Sequence, residues 1–380
     1  MSGTMESGTP GERLGQALAD VIERVAVTGA AVGSRFPLYA EPGDGRWTTT
    51  GRGSWTGGFW AGLLWLRARY TGAEADRRAA AACTARLERW VGADTATRGL
   101  IFWYGTAPAG DDAEAAALRA RAARACLSAY DRELGLVPWG DALGGPRLLA
   151  RVDAVPGTVP LLAGAGPRGA AAAADHLHRH LDLCLGAGEG AGEGAGPDEG
   201  RNPHIRPALR FDAGAGWQPC EDPPPGWSRG RAWLLLAVAD ALLRPEVSAG
   251  GTARLEQAAA VLLAPQAAPA GPLVPPADAL RPDGPLDTSA AAITAVALLK
   301  LARVPGPRAA QYAARAEAVL DRLARNHLTG RAPGRPPGML LDGCYDAAKG
   351  LAVRHELIWG DFFLTLALAA LHGIVDITRV

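Results

Sequence analysis

Apolar residues recur along this chain mostly at intervals of three and four, and runs that alternate apolar with polar, as half-buried strands do, are scarce. The spacing predicts about eleven helices, over 14–27, 57–70, 73–90, 113–130, 158–165, 170–185, 228–243, 252–263, 288–302, 307–326 and 359–372, with Gly- and Pro-rich turns between them. They are of two kinds. Segments 57–70, 228–243 and 288–302 are apolar on nearly every side, the mark of a buried helix. Segments 73–90, 113–130 and 307–326 are rich in Ala, Arg and Glu, as an outer helix is. Inner helices alternating with outer ones describe an all-α ring of helical hairpins, an α/α toroid. A stacked solenoid would share this pattern, but no fixed repeat supports it.

Two stretches break the helical rhythm. Residues 186–196 alternate Gly with Ala and Glu and read as a mobile surface loop, and 264–285, rich in Pro and Ala, read as a long connection. Similar helical patterning continues on both sides of each, so one domain over 1–380 is expected, with a flexible start of about 12 residues. Lys plus Arg and Asp plus Glu number 39 each, and a net charge of zero argues against a nucleic-acid partner. There is no long apolar run to span a membrane and no secretory leader at the start, so a cytoplasmic location is expected. The five cysteines, Cys83, Cys126, Cys184, Cys220 and Cys344, are scattered, which suits free thiols in a reducing compartment and argues against structural zinc.

Candidate chemistry centres on Asp153, in Arg151-Val152-Asp153-Ala154-Val155. A carboxylate among apolar neighbours pays desolvation, which favours its protonated form, as a general acid near neutral pH requires. The plainer reading is a helix cap or turn. Aromatic patches flank it in sequence: Trp55 and Trp60, then Trp139, then Trp227 and Trp233, with Trp359 near the end. Such rings either wall a pocket for a sugar or fill the core. Arg229, among tryptophans at a helix start, suits either a substrate carboxylate or a neighbouring protein group. Asp287 opens a helix and has the signature of an N-cap. His204 suits either a ligand-facing or a solvated loop position. His176 and His180, four apart, share a helical face but fall short of a zinc site.

These residues resemble the unsaturated glucuronyl hydrolases and the related unsaturated rhamnogalacturonyl hydrolases. Trp55-Thr56-Gly57-Gly58-Phe59-Trp60-Ala61-Gly62 is similar to their W-x-x-G-F-W-x-G opening, and Val152-Asp153 with Leu161-Leu162 to their catalytic-Asp segment. Trp227-Ser228-Arg229-Gly230-Arg231-Ala232-Trp233 resembles W-[AS]-R-G-Q-A-W, and Asp287-Thr288-Ser289-Ala290 resembles D-S-S-A. Gly343-Cys344-Tyr345 and Ile358-Trp359-Gly360-Asp361-Phe362-Phe363 resemble G-x-Y and I-W-G-D-Y-F. The resemblance implies an (α/α)6 barrel that removes a 4,5-unsaturated uronic acid from lyase-made oligosaccharides with no metal or organic cofactor. It implies that Asp153 protonates C4 of the vinyl ether and activates the water that adds at C5. Arg229, Trp139, Trp227 and Trp233 would line the uronate subsite, with His204 and Tyr345 nearby.

The pattern also departs from that family. Thr97 stands where the family has a second Asp, with Asp94 close by; Thr158 matches an Asn, Arg231 a Gln and Asp342 a His. Three readings follow: a hydrolase of an unsaturated or otherwise modified sugar, the same barrel turned to hydration, elimination or cyclisation of another substrate, or a non-catalytic sugar binder. The expected partner is a small sugar-like molecule.

Overall fold

The computed structural model describes residues 9–185, 205–267, 271–331 and 334–380. The Gly/Glu-rich stretch 186–196 and His204 therefore lie outside the described residues. Helix α1 (Pro10–Val32) opens on a reciprocal cap: the Thr9 hydroxyl accepts from the Glu12 N–H at 3.3 Å, and the Glu12 carboxylate accepts from the Thr9 N–H at 2.7 Å. Pro10 sits in the first turn, where a missing donor costs nothing. The helix thus begins inside the stretch expected to be flexible.

Along the chain follow α2 (Gly57–Thr71), α3 (Glu74–Ala85), α4 (Tyr104–Thr106), α5 (Ala113–Ser128), α6 (Thr158–Ala163), α7 (Pro167–Leu185) and α8 (Ser228–Leu242). Then come α9 (Pro245–Ser248), α10 (Thr252–Ala267), α11 (Thr288–Leu301), α12 (Ala309–Asn326) and α13 (Ile358–Leu371). Burial separates two kinds, as the apolar pattern predicts. Every residue of α11 is buried, and so is α13 from Ile358 to Ala369, whereas α12 buries only Ala316, Val319, Leu320, Leu323 and Ala324. The buried helices touch one another in a circuit. Helix α2 lies on α13, α13 on α11, α11 on α8, α8 on α6, and α6 on a π-helical turn, Gly99–Trp103, which with α4 returns to α2. Helices α1, α3, α5, α7, α10 and α12 pack against this circuit from outside. No described helix is long and apolar enough to cross a membrane.

The fold is helix-rich but not purely helical. Strands β1 (Phe36–Ala40), β2 (Trp47–Thr50), β6 (Gly343–Asp346) and β7 (Leu351–Leu357) form an antiparallel sheet in the order β2-β1-β7-β6, and β3 (Leu149–Arg151), β4 (Ala208–Asp212) and β5 (Gly216–Pro219) form a second. Strands this short carry too few alternations to register against the helical periodicity. The expected helix over 73–90 is also shorter: α3 ends at Ala85 and a 3₁₀ turn, Arg86–Trp90, takes over.

Two glycines let the Asp153 turn meet the π-helical turn. A Cβ on Gly99 would lie 2.1 Å from the Thr158 nitrogen, and one on Gly157, at φ +71°, would lie 2.5 Å from the Gly99 oxygen. The Thr158 hydroxyl then donates to the Ala96 carbonyl at 3.3 Å. This close approach carries Thr97 and Asp153 into the lining of one cavity.

Candidate active site

A cavity of about 560 Å³ opens where β3, the turn Val152–Ala154, the start of α8, strand β6 and the connection before α11 converge. Its lining brings together Asp153, Trp55, Trp139, Trp227, Arg229, Trp233 and Tyr345, residues spread over most of the chain. Trp60 is not among them. It is buried in α2 with its indole 3.9 Å from where a Cβ on Gly29 of α1 would sit, so it is core filling rather than pocket wall.

Asp153 is held differently from the isolated carboxylate expected. It follows β3 in a 3₁₀ turn, and Arg151 donates to both its oxygens, Nε to Oδ1 at 3.0 Å and Nη2 to Oδ2 at 3.1 Å. The guanidinium in turn lies over the Trp139 ring, 4.7 Å from its centroid. Burial works against the Arg151 charge, but Asp153, with Asp222 and Cys220 further off, outweighs it and lifts the guanidinium above its ordinary pKa. Nothing in the sequence reading singled out Arg151. The available signal was its spacing, since residues two apart on an extended segment share a face.

Arg229 bonds neighbouring protein groups, one of the two roles its position suits. Its Nη1 donates to Asp287 and to the Cys344 carbonyl (2.6 Å), and its Nη2 donates to the Tyr345 carbonyl at 2.8 Å. It is buried between the Trp227 and Trp359 rings, 5.0 and 5.4 Å from their centroids. Three of its five N–H donors are therefore taken by the protein. Asp287 caps α11, as its position predicted, accepting from the Ser289 N–H at 3.1 Å and hydroxyl at 2.6 Å, and it is the anchor of Arg229 as well. Through this pair α8 fixes β6, and with it Tyr345, whose ring packs edge-on to Trp359 at 5.2 Å. Burial raises the Tyr345 phenol above its usual pKa and pushes the Cys344 thiol up to about 12, so the thiol is neutral and no nucleophile.

The rim is charged, which the sequence did not reveal. Lys349 bridges Asp222 at 2.7 Å and Asp346 at 2.8 Å, and Arg281 stands 3.7 Å from Asp278. Behind the Asp153 turn, His176 and His180 do share a face, 4.3 Å apart. The Val137 N–H donates to His176 Nδ1 at 3.1 Å, so the ring proton sits on Nε2 and points at the Ala154 carbonyl, 3.4 Å away. Burial holds the His176 pKa well below the usual value and lowers that of His180 to about 4, so both are neutral, and His176 supports the turn. Among the described residues no group of three His, Cys, Asp or Glu side chains is placed to hold a metal ion.

No protein-family model matches the chain. It is 26% identical over 389 residues, covering 94% of its own length and 96% of the relative's, to an unsaturated glucuronyl hydrolase of Bacillus sp. (strain GL1). In sequence and in fold the chain is similar to the unsaturated glucuronyl hydrolases. The crystal structure of the Bacillus sp. GL1 unsaturated glucuronyl hydrolase shares its fold with a TM-score of 0.77 at 23% identity, covering 94% of this chain and 96% of that one. An unsaturated glucuronyl hydrolase from Streptococcus agalactiae does so with a TM-score of 0.77 at 16% identity, covering 100% and 98%. A heparin-specific unsaturated glucuronyl hydrolase gives 0.78 at 18% identity, covering 96% and 99%.

The departures from the unsaturated glucuronyl hydrolase pattern now have places. Thr97 lines the cavity with a neutral hydroxyl, 2.9 Å from that of Thr95. Asp94 does not replace the missing carboxylate: it accepts from Arg147 at 2.9 Å and is not part of the lining. Arg231 reaches away to the Val261 and Leu262 carbonyls of α10, at 3.3 and 3.5 Å. Asp342 pairs with His327 at 2.9 Å and Arg354 at 3.3 Å, also outside the lining.

Proposed function

We propose that this protein hydrates the C4=C5 double bond of an unsaturated uronyl residue at the end of an oligosaccharide, with Asp153 as acid and base. The observation that carries the reading is the meeting of Asp153 with four tryptophans and Tyr345 in one cavity of about 560 Å³, a size suited to a sugar or two. Aromatic faces match the C–H faces of a sugar ring, and the charged rim matches its hydroxyls. In the reaction the Asp153 carboxyl gives its proton to C4, and water adds at C5 while losing a proton to the same carboxylate. The C5 hemiketal then opens to a ketone, and the hemiacetal left at C1 collapses to release the remaining sugar. No second carboxylate takes part, so the scheme lies outside the two-carboxylate glycosidase patterns.

The circuit of buried helices with outer helices against it supports reading the architecture as a single (α/α)6 barrel domain. Five free cysteines, four of them buried, are in keeping with a cytoplasmic place of action. A second reading, the same fold turned to hydration, elimination or cyclisation of another substrate, is favoured by Thr97, which puts a neutral hydroxyl where the resemblance implies a second carboxylate. Mass analysis after incubation with lyase-made unsaturated disaccharides separates the two. Free reducing-end sugar together with a keto uronic acid supports the first reading; intact disaccharide overturns it.

A further inference from the structure

We infer that Arg151, rather than Arg229, is the residue that recognises the carboxylate of the substrate, holding it on the edge of its guanidinium next to the one bonded to Asp153. The inference rests on the hydrolase reading above and names how that site selects an acidic sugar.

A guanidinium offers five N–H donors in one plane, enough for two carboxylates on adjoining edges. Arg151 spends only Nε and one Nη2 donor, both on Asp153, and among the described residues nothing accepts from its Nη1. The side chain is 24% exposed and lines the cavity, so this second edge is open to it. Stacking on Trp139 fixes the plane in which it presents. The other cations of the lining are committed or remote. Arg229 gives three of its five donors to Asp287 and two carbonyls of β6 and is only 4% exposed, Lys349 is paired with Asp222 and Asp346, and Arg281 stands at the mouth, 76% exposed. Asp222, which would otherwise compete for Arg151, is held by Lys349 at 2.7 Å.

The arrangement also accounts for where the acid sits. In the proposed substrate the carboxylate is borne by C5, and the carbon to be protonated, C4, is its neighbour. A guanidinium bridging the substrate carboxylate and Asp153 sets the proton donor beside that neighbouring carbon. Arg151 is thus a binding residue that also positions the acid.

The test compares an unsaturated uronyl disaccharide with its methyl ester, which keeps the double bond and loses the charge, in the wild type, Arg151→Gln and Arg151→Lys. Charge-assisted hydrogen bonds of this kind discriminate on the order of 10- to 100-fold. The wild type is expected to favour the acid by that factor in kcat/KM. In Arg151→Gln the preference should vanish, through a raised KM for the acid, and Arg151→Lys should restore part of it. A wild-type preference kept in a folded Arg151→Gln protein overturns the inference and leaves the hydrolase reading standing. Should the wild type turn over neither compound, the hydrolase reading fails. Quenching of the cavity tryptophans by glucuronate and by its methyl ester then decides: selective binding of the acid that Arg151→Gln loses upholds Arg151, and equal binding of both overturns it.

Discussion

Asp153→Asn is expected to lower kcat for release of sugar from an unsaturated disaccharide by about 10²- to 10⁴-fold, the range that a lost general acid or base costs. An amide is too weak an acid to protonate C4 and too weak a base to take a proton from the attacking water. The substitution is nearly isosteric, and one oxygen remains to accept from Arg151, so the fold should survive. The pair lies partly exposed at the cavity wall, 24% for Arg151 and 18% for Asp153, and its loss should lower stability by about 1 kcal/mol at most. Initial rates of sugar release alongside thermal unfolding check both halves. A folded variant that turns over at the wild-type rate would take Asp153 out of the chemistry.

The largest expected effect on stability lies away from the cavity. Lys300 of α11 is fully buried and donates to Asp240 of α8 at 2.5 Å and to the main-chain oxygen of Val380. Burial pulls the ammonium pKa below its usual value, Asp240 opposes that shift, and Arg244 adds to it. Methionine has nearly the same length and no charge. Lys300→Met therefore leaves Asp240 buried with only Arg244, 3.5 Å away, as a cationic partner. Removing one member of a buried pair costs about 3–5 kcal/mol, because the charge left behind keeps its desolvation penalty. Urea unfolding should show that loss, and Lys300→Met with Asp240→Leu should recover most of it, since an apolar pair needs no compensation. A single variant within about 1 kcal/mol of wild type would show that the pair does not hold the two inner helices together.

The parts legible in the sequence are those with long, uniform signals. Helices α11 and α13 are apolar on all sides because all sides are buried, and α12 shows one stripe because one side packs. The π-helical turn Gly99–Trp103, which completes the inner circuit, was not legible: a glycine at its start and a span of five residues weaken the helical pattern. The strands were lost for a similar reason, being three to seven residues long. At the site, the motifs named Trp55, Asp153, Trp227, Arg229, Trp233 and Tyr345, which line one cavity, but a motif does not say which donors are already engaged. Arg229 at a helix start reads the same whether its partner is a substrate or Asp287, and only the fold shows that it is Asp287. Arg151 had no motif at all; its role depends on Asp153 two residues on and on Trp139, which the chain folds beneath it.

The central claim is that this cavity consumes the double bond of an unsaturated uronate. The most direct measurement is the ultraviolet absorbance of that conjugated group, followed over time with purified protein and lyase-made disaccharides beside a quantitation of released sugar. Loss of the band mole for mole with sugar release, abolished in Asp153→Asn, is the predicted result. A flat trace from folded wild-type protein, or an equal loss in the variant, would contradict it.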